Sequence, residues 1–174
     1  MRRSNVRTAP AFSYGDDVVL WFIGTSTLAV WHVFHDGRFD NRFLILGVLL
    51  PDVVDAIWGG ARGMHTLLGS VTMLLVVMLA TIGHRARRRR LLALPIGVFL
   101  HLIFDGAFAD TGVFWWPFAG ISFDSAPLPL TNRGGISILL EVIGLGLCVH
   151  AWRIFGLNDS DRRRAFLASG TLTR

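Results

Sequence analysis

The sequence predicts an all-helical integral membrane protein, folded as a compact bundle of about five transmembrane helices. Three observations predict this class. More than half of the 174 residues are apolar (52%) and only 17% are charged, whereas soluble domains average about 25% charged residues. The apolar residues collect into five runs of helical length. The seventeen basic residues, all arginine, cluster mostly between these runs, as they do in membrane-flanking loops.

The five apolar runs predict the helices in chain order. A spanning helix needs about 20 residues, with a lower limit of about 17, so the third and fifth runs are long enough and the first and fourth are adequate. The second run is interrupted by Pro51 and Asp52 and is short, so it either spans the membrane or re-enters from one side. The runs cover residues 18–34, 43–58, 64–82, 91–108 and 136–155.

The distribution of apolar and polar residues predicts a single domain with polar ends. Helices and connections occupy residues 16–156, after a polar N-terminal segment over 1–15 and before a polar cytoplasmic tail over 157–174. The connection between the fourth and fifth runs is rich in aromatic residues and proline. Its Trp115 and Trp116 are typical of anchors at a membrane interface.

The arginine clusters predict the orientation in the plasma membrane. Cytoplasmic loops are enriched in basic residues, so the loop Arg85–Arg90 belongs in the cytoplasm, and the fifth helix returns Arg162, Arg163 and Arg164 to the same side. Five spans place the N-terminus outside, whereas a re-entrant second run places it inside. No nucleic-acid partner is predicted, because the basic residues do not cover one face or groove.

Acidic and imidazole groups converge on the outer side of this predicted bundle. Ionisable residues at membrane depth are costly to bury, so each needs a partner or a role. His32, His35, His84 and His150 fall toward the other side. The convergent residues are Asp52, Asp55, His65, His101, Asp105 and Glu141, with Asp16 and Asp17 ahead of the first helix.

Two pairs among these residues have the spacing of metal ligands on one helix face. Asp52 and Asp55 are three residues apart, and His101 and Asp105 are four apart, so each pair shares a face. Imidazole and carboxylate together suit zinc, or manganese or iron, in a divalent site. The simpler interpretation is that such pairs hydrogen-bond within the bundle and that Asp52 caps the helix after Pro51.

Segments containing these residues resemble the YdjM-like family of bacterial inner-membrane proteins, described as metal-dependent hydrolases. The likeness lies in LGVLLPDVVD (46–55), RGMHTLL (62–68), GVFLHLIFD (97–105), and GV with WPF (112–118). It implies kinship with zinc phosphoesterases of the phospholipase C type, which use His-x-x-x-Asp ligation. The metal-site residues that the resemblance implies are Asp52, Asp55, His65, His101 and Asp105.

The leading hypothesis is a metal-dependent hydrolase of a lipid-linked or membrane-proximal ester, most simply a phosphoester, acting through a metal-bound hydroxide. Its cofactor would be a divalent ion, with zinc preferred, and its partners would be membrane lipids and a lipid-type substrate. The candidate catalytic residues are Asp52, His65, Asp105 and Glu141, and the candidate substrate-binding residues are Arg62, Arg133 and Trp116.

Two functions from other classes stay open. The same His and Asp residues could form an ion or proton path in a small transporter or channel, although such a path should cross the membrane. Alternatively, the chain is a non-catalytic membrane subunit whose polar or metal-stapled cluster is structural. A homo-oligomer or a partner membrane subunit is compatible with each of these functions.

Overall fold

Helices supply all the regular secondary structure of the computed structural model, which describes residues 18–37, 39–57, 63–109, 111–121 and 135–172. Two short turns of 3-10 helix cover Gly63–His65 and Ala107–Ala109. The predicted all-helical class is confirmed for these ranges. The helices are α1 (Val19–Phe34), α2 (Asn41–Ile57), α3 (Leu67–Ala80), α4 (Arg85–Leu91), α5 (Ala93–Asp105), α6 (Thr111–Phe114), α7 (Gly135–Ile154) and α8 (Ser160–Ser169).

The second helix continues through Pro51, where the sequence predicts an interruption. Proline in a helix removes one backbone hydrogen bond and crowds the carbonyl four residues earlier, which here belongs to Gly47. Pro51 is buried, and α2 packs more extensively against α5 than any other pair of helices does. We attribute the continuity of α2 to this packing, which outweighs the local cost. Asp52 therefore lies inside a helix and does not cap one.

Glycines let the two best-packed helix pairs approach closely. A Cβ atom on Gly97 of α5 would collide with the carbonyl oxygen of Leu44 on α2. A Cβ atom on Gly144 of α7 would collide with the backbone of Trp21 on α1. Small residues at helix crossings are typical of bundles whose backbones pack in contact.

The metal-ligand candidates and the arginine clusters lie at opposite ends of the bundle. α1 and α7 begin at the same end, since Glu141 of α7 accepts hydrogen bonds from the backbone of Leu20. α5 ends there, where Phe22 of α1 stacks on His101. We call this the site end. The helix α4, which the sequence predicted as a loop, and α8 lie at the opposite end, called the arginine end.

The C-terminal segment packs onto the start of α2 at the arginine end. The backbone N–H of Asn41 donates to the carbonyl of Gly170 at 2.8 Å. Arg42 donates to the carbonyl of Leu167 at 2.7 Å. Leu172 is buried against Phe155 and Ala151. Residues 160–172, which the sequence predicted as part of a polar tail, thus form α8 and a short segment after it, and both contact the bundle.

One described helix, α7 with 20 residues, is long and apolar enough to cross a membrane. α1 and α3 are shorter apolar helices. The predicted bundle of five spans is not shown, because α3 has 14 residues and α5 has 13, fewer than the lower limit of about 17 for a helix that spans alone.

Candidate metal centre

Three helical elements bring one carboxylate and two imidazoles together at the site end. Asp52 comes from the last turns of α2, His65 from the 3-10 turn before α3, and His101 from α5. A ligand atom from each of the three lies within 4.8 Å of the other two. Because α2 remains helical past Pro51, Asp52 faces the histidines of the neighbouring elements.

The distances between the three ligand atoms fit one tetrahedral metal ion. Nε2 of His65 lies 3.3 Å from Nε2 of His101, and Oδ1 of Asp52 lies 3.4 Å from each of these nitrogens. Metal–ligand bonds of about 2.0–2.1 Å in tetrahedral geometry separate neighbouring ligands by about 3.3–3.4 Å. The two imidazoles and the carboxylate therefore lie close enough together to hold one metal ion.

Asp55 contacts His65 on the side of the ring that faces away from Asp52 and His101. Its Oδ2 lies 2.7 Å from Nδ1 of His65, and its Oδ1 accepts a 3.4 Å hydrogen bond from the backbone N–H of Met64. A carboxylate that accepts the Nδ1 proton leaves Nε2 of a neutral imidazole free to bind a metal. Metal-ligating histidines commonly donate their second nitrogen to a carboxylate in this way.

The carboxylates around His65 also favour its protonated form when no metal is bound. Burial lowers the pKa of this imidazole, but the hydrogen bonds that His65 donates to Asp52 and Asp55, with the nearby charges of Asp52 and Asp105, raise the pKa of His65 to about 9. His65 lies in the 3-10 turn between α2 and α3 and not within a helix of the bundle. A metal ion entering the centre must therefore displace a proton from His65 at neutral pH.

His101 is held by packing. Its ring is fully buried and stacks on Phe22 with ring centroids 4.3 Å apart. Its Nδ1 atom has no hydrogen-bond partner among the described residues. The rings of His65 and His101 meet edge to face, so α1 and the 3-10 turn together fix the orientation of His101.

Solvent reaches the centre from the side of Asp52. The side chains of His65 and His101 are 1% and 0% exposed, whereas that of Asp52 is 30% exposed. If the three residues held a tetrahedral metal ion, the fourth position would be the one open to water or a substrate. The exposed side of Asp52 marks where such a group would enter.

Two of the five predicted metal-site residues do not belong to this group of three. Asp55 binds the far nitrogen of His65, as described above. Asp105 is buried one turn after His101, and its charge acts on His65. Both residues therefore lie near the group of three, and their role as metal ligands stays a prediction.

The predicted candidate Glu141 is engaged elsewhere at the site end. Its two carboxylate oxygens accept the backbone N–H of Leu20 at 3.0 and 3.2 Å. This N–H is one of the unpaired donors in the first turn of α1, where Val18 provides no side-chain cap. The contact is that of a helix cap supplied from another helix.

The predicted substrate-binding residues are only partly described. Arg62 and Arg133 lie outside the described residues, as do Asp16 and Asp17. Trp116 is half-buried and lines a groove together with Gly63, Met64 and Thr66, the neighbours of His65. Its indole therefore lies beside the turn that carries a metal ligand.

Sequence reasoning missed Phe22. It lies in an apolar run among other aromatic residues, and nothing in its spacing distinguishes it from a core residue. Its stacking on His101 follows only from how α1 packs against α5.

No protein-family model, curated protein or solved structure was found to match this chain.

Proposed function

We propose that the chain is a membrane-embedded metal-dependent hydrolase that acts on a phosphoester at the membrane surface. The observation that carries this proposal is the tetrahedral spacing of Asp52, His65 and His101. Asp55 behind His65 adds the outer carboxylate that metal-binding histidines commonly have. The resemblance of the surrounding segments to membrane-bound metal-dependent hydrolases supports the same function.

The ligand count favours a reactive site over a structural one. Structural zinc sites are closed by four protein ligands, whereas catalytic sites use three and keep one position open. The described residues supply three, with an exposed edge at Asp52. A divalent ion bound here would polarise a phosphoryl oxygen and bring the pKa of a bound water to about 7.

The protein's own residues would hold this centre rigid and dry on its inner side. His101 is clamped by Phe22, and Asp55 fixes the ring of His65 so that Nε2 faces the centre. The two rings are buried, whereas Asp52 is partly exposed. Zinc suits this donor set best, while manganese and iron accept the same ligands.

The surface of the bundle supports a membrane location. α3 and α7 expose many apolar side chains, among them Leu75, Leu79, Ile138 and Val142. Exposed apolar area on this scale marks a surface that contacts lipid or protein. By the positive-inside rule, the arginine end would be cytoplasmic and the metal centre would face the outer side.

The interior of the bundle gives less support to an ion path. Between the site end and the arginine end, Val30, Leu44, Val48 and Ala93 are buried together, and the buried polar side chains on this stretch of α1, Ser26 and Thr27, carry no charge. A conducted ion needs polar partners through the membrane. The described His and Asp ligands gather at one end, which suits chemistry at an interface.

The proposal is tested by metal content and phosphatase activity of the same preparations. Detergent-purified wild type should hold one divalent ion per chain by elemental mass spectrometry and should hydrolyse phosphatidic acid in mixed micelles. His101→Ala should lose both properties, whereas His150→Ala, which changes an exposed histidine on α7, should keep both. A wild type that binds metal but hydrolyses no phosphoester would support the non-catalytic subunit instead.

A further inference from the structure

An open apolar groove lies between α1, α3 and α5. Its volume is about 470 Å³, within the range of small-molecule binding sites. The floor is buried and includes Val30, Ser70 and Pro95, while the rim is exposed. The rim residues are Val33, Val71, Leu74 and Phe99.

The walls of this groove offer hydrocarbon and no charge. All lining residues except Ser70 are apolar. The hydroxyl of Ser70 donates to the carbonyl of Leu67 at 2.9 Å, so it is already paired. A ligand with polar groups along its length would lose its hydration there without compensation. The groove therefore suits an uncharged aliphatic chain.

The groove is not lined by Asp52, His65 or His101, but it begins at residues that adjoin the two histidines in the chain and runs along the bundle. At the site end its lining includes Leu67, two residues after His65, and Leu100, which precedes His101. From there it continues toward the arginine end, past Leu74 on α3 and Pro95 on α5. The stretch from Leu67 to Leu74 alone rises about 10 Å along the helix axis.

We propose that this groove binds one hydrocarbon chain of a phospholipid whose phosphate lies at Asp52, His65 and His101. The charge pattern fits such a molecule from end to end. A divalent ion held by Asp52, His65 and His101 would offer its open coordination position to a phosphate oxygen, and the lining of the groove is neutral. The inference rests on the proposed function for the head group, while the occupancy of the groove can be measured separately.

Two neighbouring leucines of α3 provide a matched pair of variants. Leu74 lines the groove, and Leu75 is similarly exposed but lines none of the grooves described here. Leu74→Trp should fill the groove, and Val71→Trp on the same rim should act alike. Leu75→Trp places the same indole on another face of the helix and serves as the control. Melting temperatures in detergent would verify that all three variants fold.

The first measurement is native mass spectrometry of the full chain with dioleoyl phosphatidic acid in detergent. Wild type and Leu75→Trp should each retain one lipid, and Leu74→Trp and Val71→Trp should retain about tenfold less, the scale on which a hydrophobic pocket discriminates ligands. Equal retention by all variants would overturn the inference. So would a wild type that retains no lipid, or a groove occupied by a second copy of the chain.

The second measurement compares hydrolysis of long-chain and dihexanoyl phosphatidic acid. If the groove holds the substrate chain, Leu74→Trp should lose about tenfold in kcat/KM on the long-chain lipid and little on the short-chain lipid. Equal effects on both lipids would overturn the inference and leave the hydrolase function standing. Lipid retained in the groove without any hydrolysis would instead contradict the proposed function and leave the groove as a lipid-binding site.

Discussion

His65 and His101 present their Nε2 atoms to each other at 3.3 Å, and Oδ1 of Asp52 lies 3.4 Å from both. Two neutral imidazole nitrogens at this distance repel unless a proton or a cation lies between them. Because Asp55 accepts from Nδ1 of His65, the neutral ring directs its lone pair at the other two ligands. A proton on Nε2 of His65 satisfies these contacts in the metal-free protein, and a metal ion shared by the three groups would take its place.

The first prediction concerns Asp55 as the residue that orients His65. Asp55→Asn should lower metal affinity about 10–100-fold, the range seen when such outer carboxylates are changed, without removing a ligand. Competition titration with a zinc chelator would measure the affinity. Asp161→Asn, which changes a highly exposed carboxylate on α8, is the control. An unchanged affinity in Asp55→Asn would show that its bond to His65 does not support the site.

The second prediction concerns pH and has opposite signs for the metal-loaded and metal-free protein. The pKa of His65 is raised from 6.5 to about 9, so at neutral pH metal must displace its proton. Metal affinity should therefore rise about tenfold per pH unit up to about pH 9. In the metal-free protein, the stability that protonated His65 contributes is fully present below about pH 6.5 and is lost as pH rises through 9.

Both trends can be measured on one preparation. Zinc affinity is followed by chelator competition, and the melting temperature of the chelator-treated protein is followed over the same pH range. His65→Gln should flatten the component that depends on His65 in both curves. A metal affinity independent of pH in wild type would rule out His65 as a ligand that must first lose a proton.

The sequence predicted most of the helices, and it predicted three residues, Asp52, His65 and His101, that the fold brings close together. Apolar runs of helical length predict α1, α3, α5 and α7. A helix pairs the backbone groups of such a run within the run itself, whatever the side chains contact. The spacing of Asp52 and Asp55 predicts that both face one way. The spacing does not reveal that Asp55 accepts a hydrogen bond from Nδ1 of His65, because that contact depends on how the 3-10 turn packs against α2.

Other features lay beyond sequence reasoning for related reasons. Pro51 predicts a break, and only the packing of α2 on α5 shows why the helix continues. Glu141 falls among the ionisable residues at the site end, so its charge suggested chemistry. Its actual contact, the first turn of α1, depends on a helix 121 residues away in the chain. Arg62 and Arg133 remain predictions, since they lie outside the described residues.

The third prediction separates a capping role for Glu141 from a role as a catalytic base. Glu141→Ala removes the acceptor for the N–H of Leu20 and should lower the free energy of unfolding by about 0.5–2 kcal/mol, the usual cost of losing an N-terminal cap. Metal content should be unchanged. A variant with wild-type stability and metal content but no hydrolysis would instead favour the catalytic assignment.

The fourth prediction concerns orientation in the membrane. Cys148 is the single cysteine of the chain, so Cys148→Ser gives a background for added cysteines. In that background Ala109→Cys at the site end should react with an impermeant maleimide added to whole cells, and Ser160→Cys at the arginine end should react only after the membrane is opened. Both positions are exposed. The reverse pattern would place the metal centre in the cytoplasm.

The fifth prediction tests the close packing of α1 against α7 with two glycines of one helix. A Cβ atom at Gly144 would collide with the backbone of Trp21, whereas one at Gly146 meets nothing within 4 Å. Gly144→Ala should therefore lower the free energy of unfolding by about 1–3 kcal/mol, the typical cost of overpacking. Gly146→Ala should raise it by about 0.5–1 kcal/mol, because alanine is the better helix former.

Thermal unfolding in one detergent would compare the two variants with wild type. The expected signs are opposite, so a general effect of alanine on helix α7 cannot produce both. Because Glu141 lies one turn before Gly144, a shift of α7 caused by Gly144→Ala should also weaken the contact with Leu20. If Gly144→Ala were as stable as Gly146→Ala, α1 and α7 would not pack in contact at this crossing.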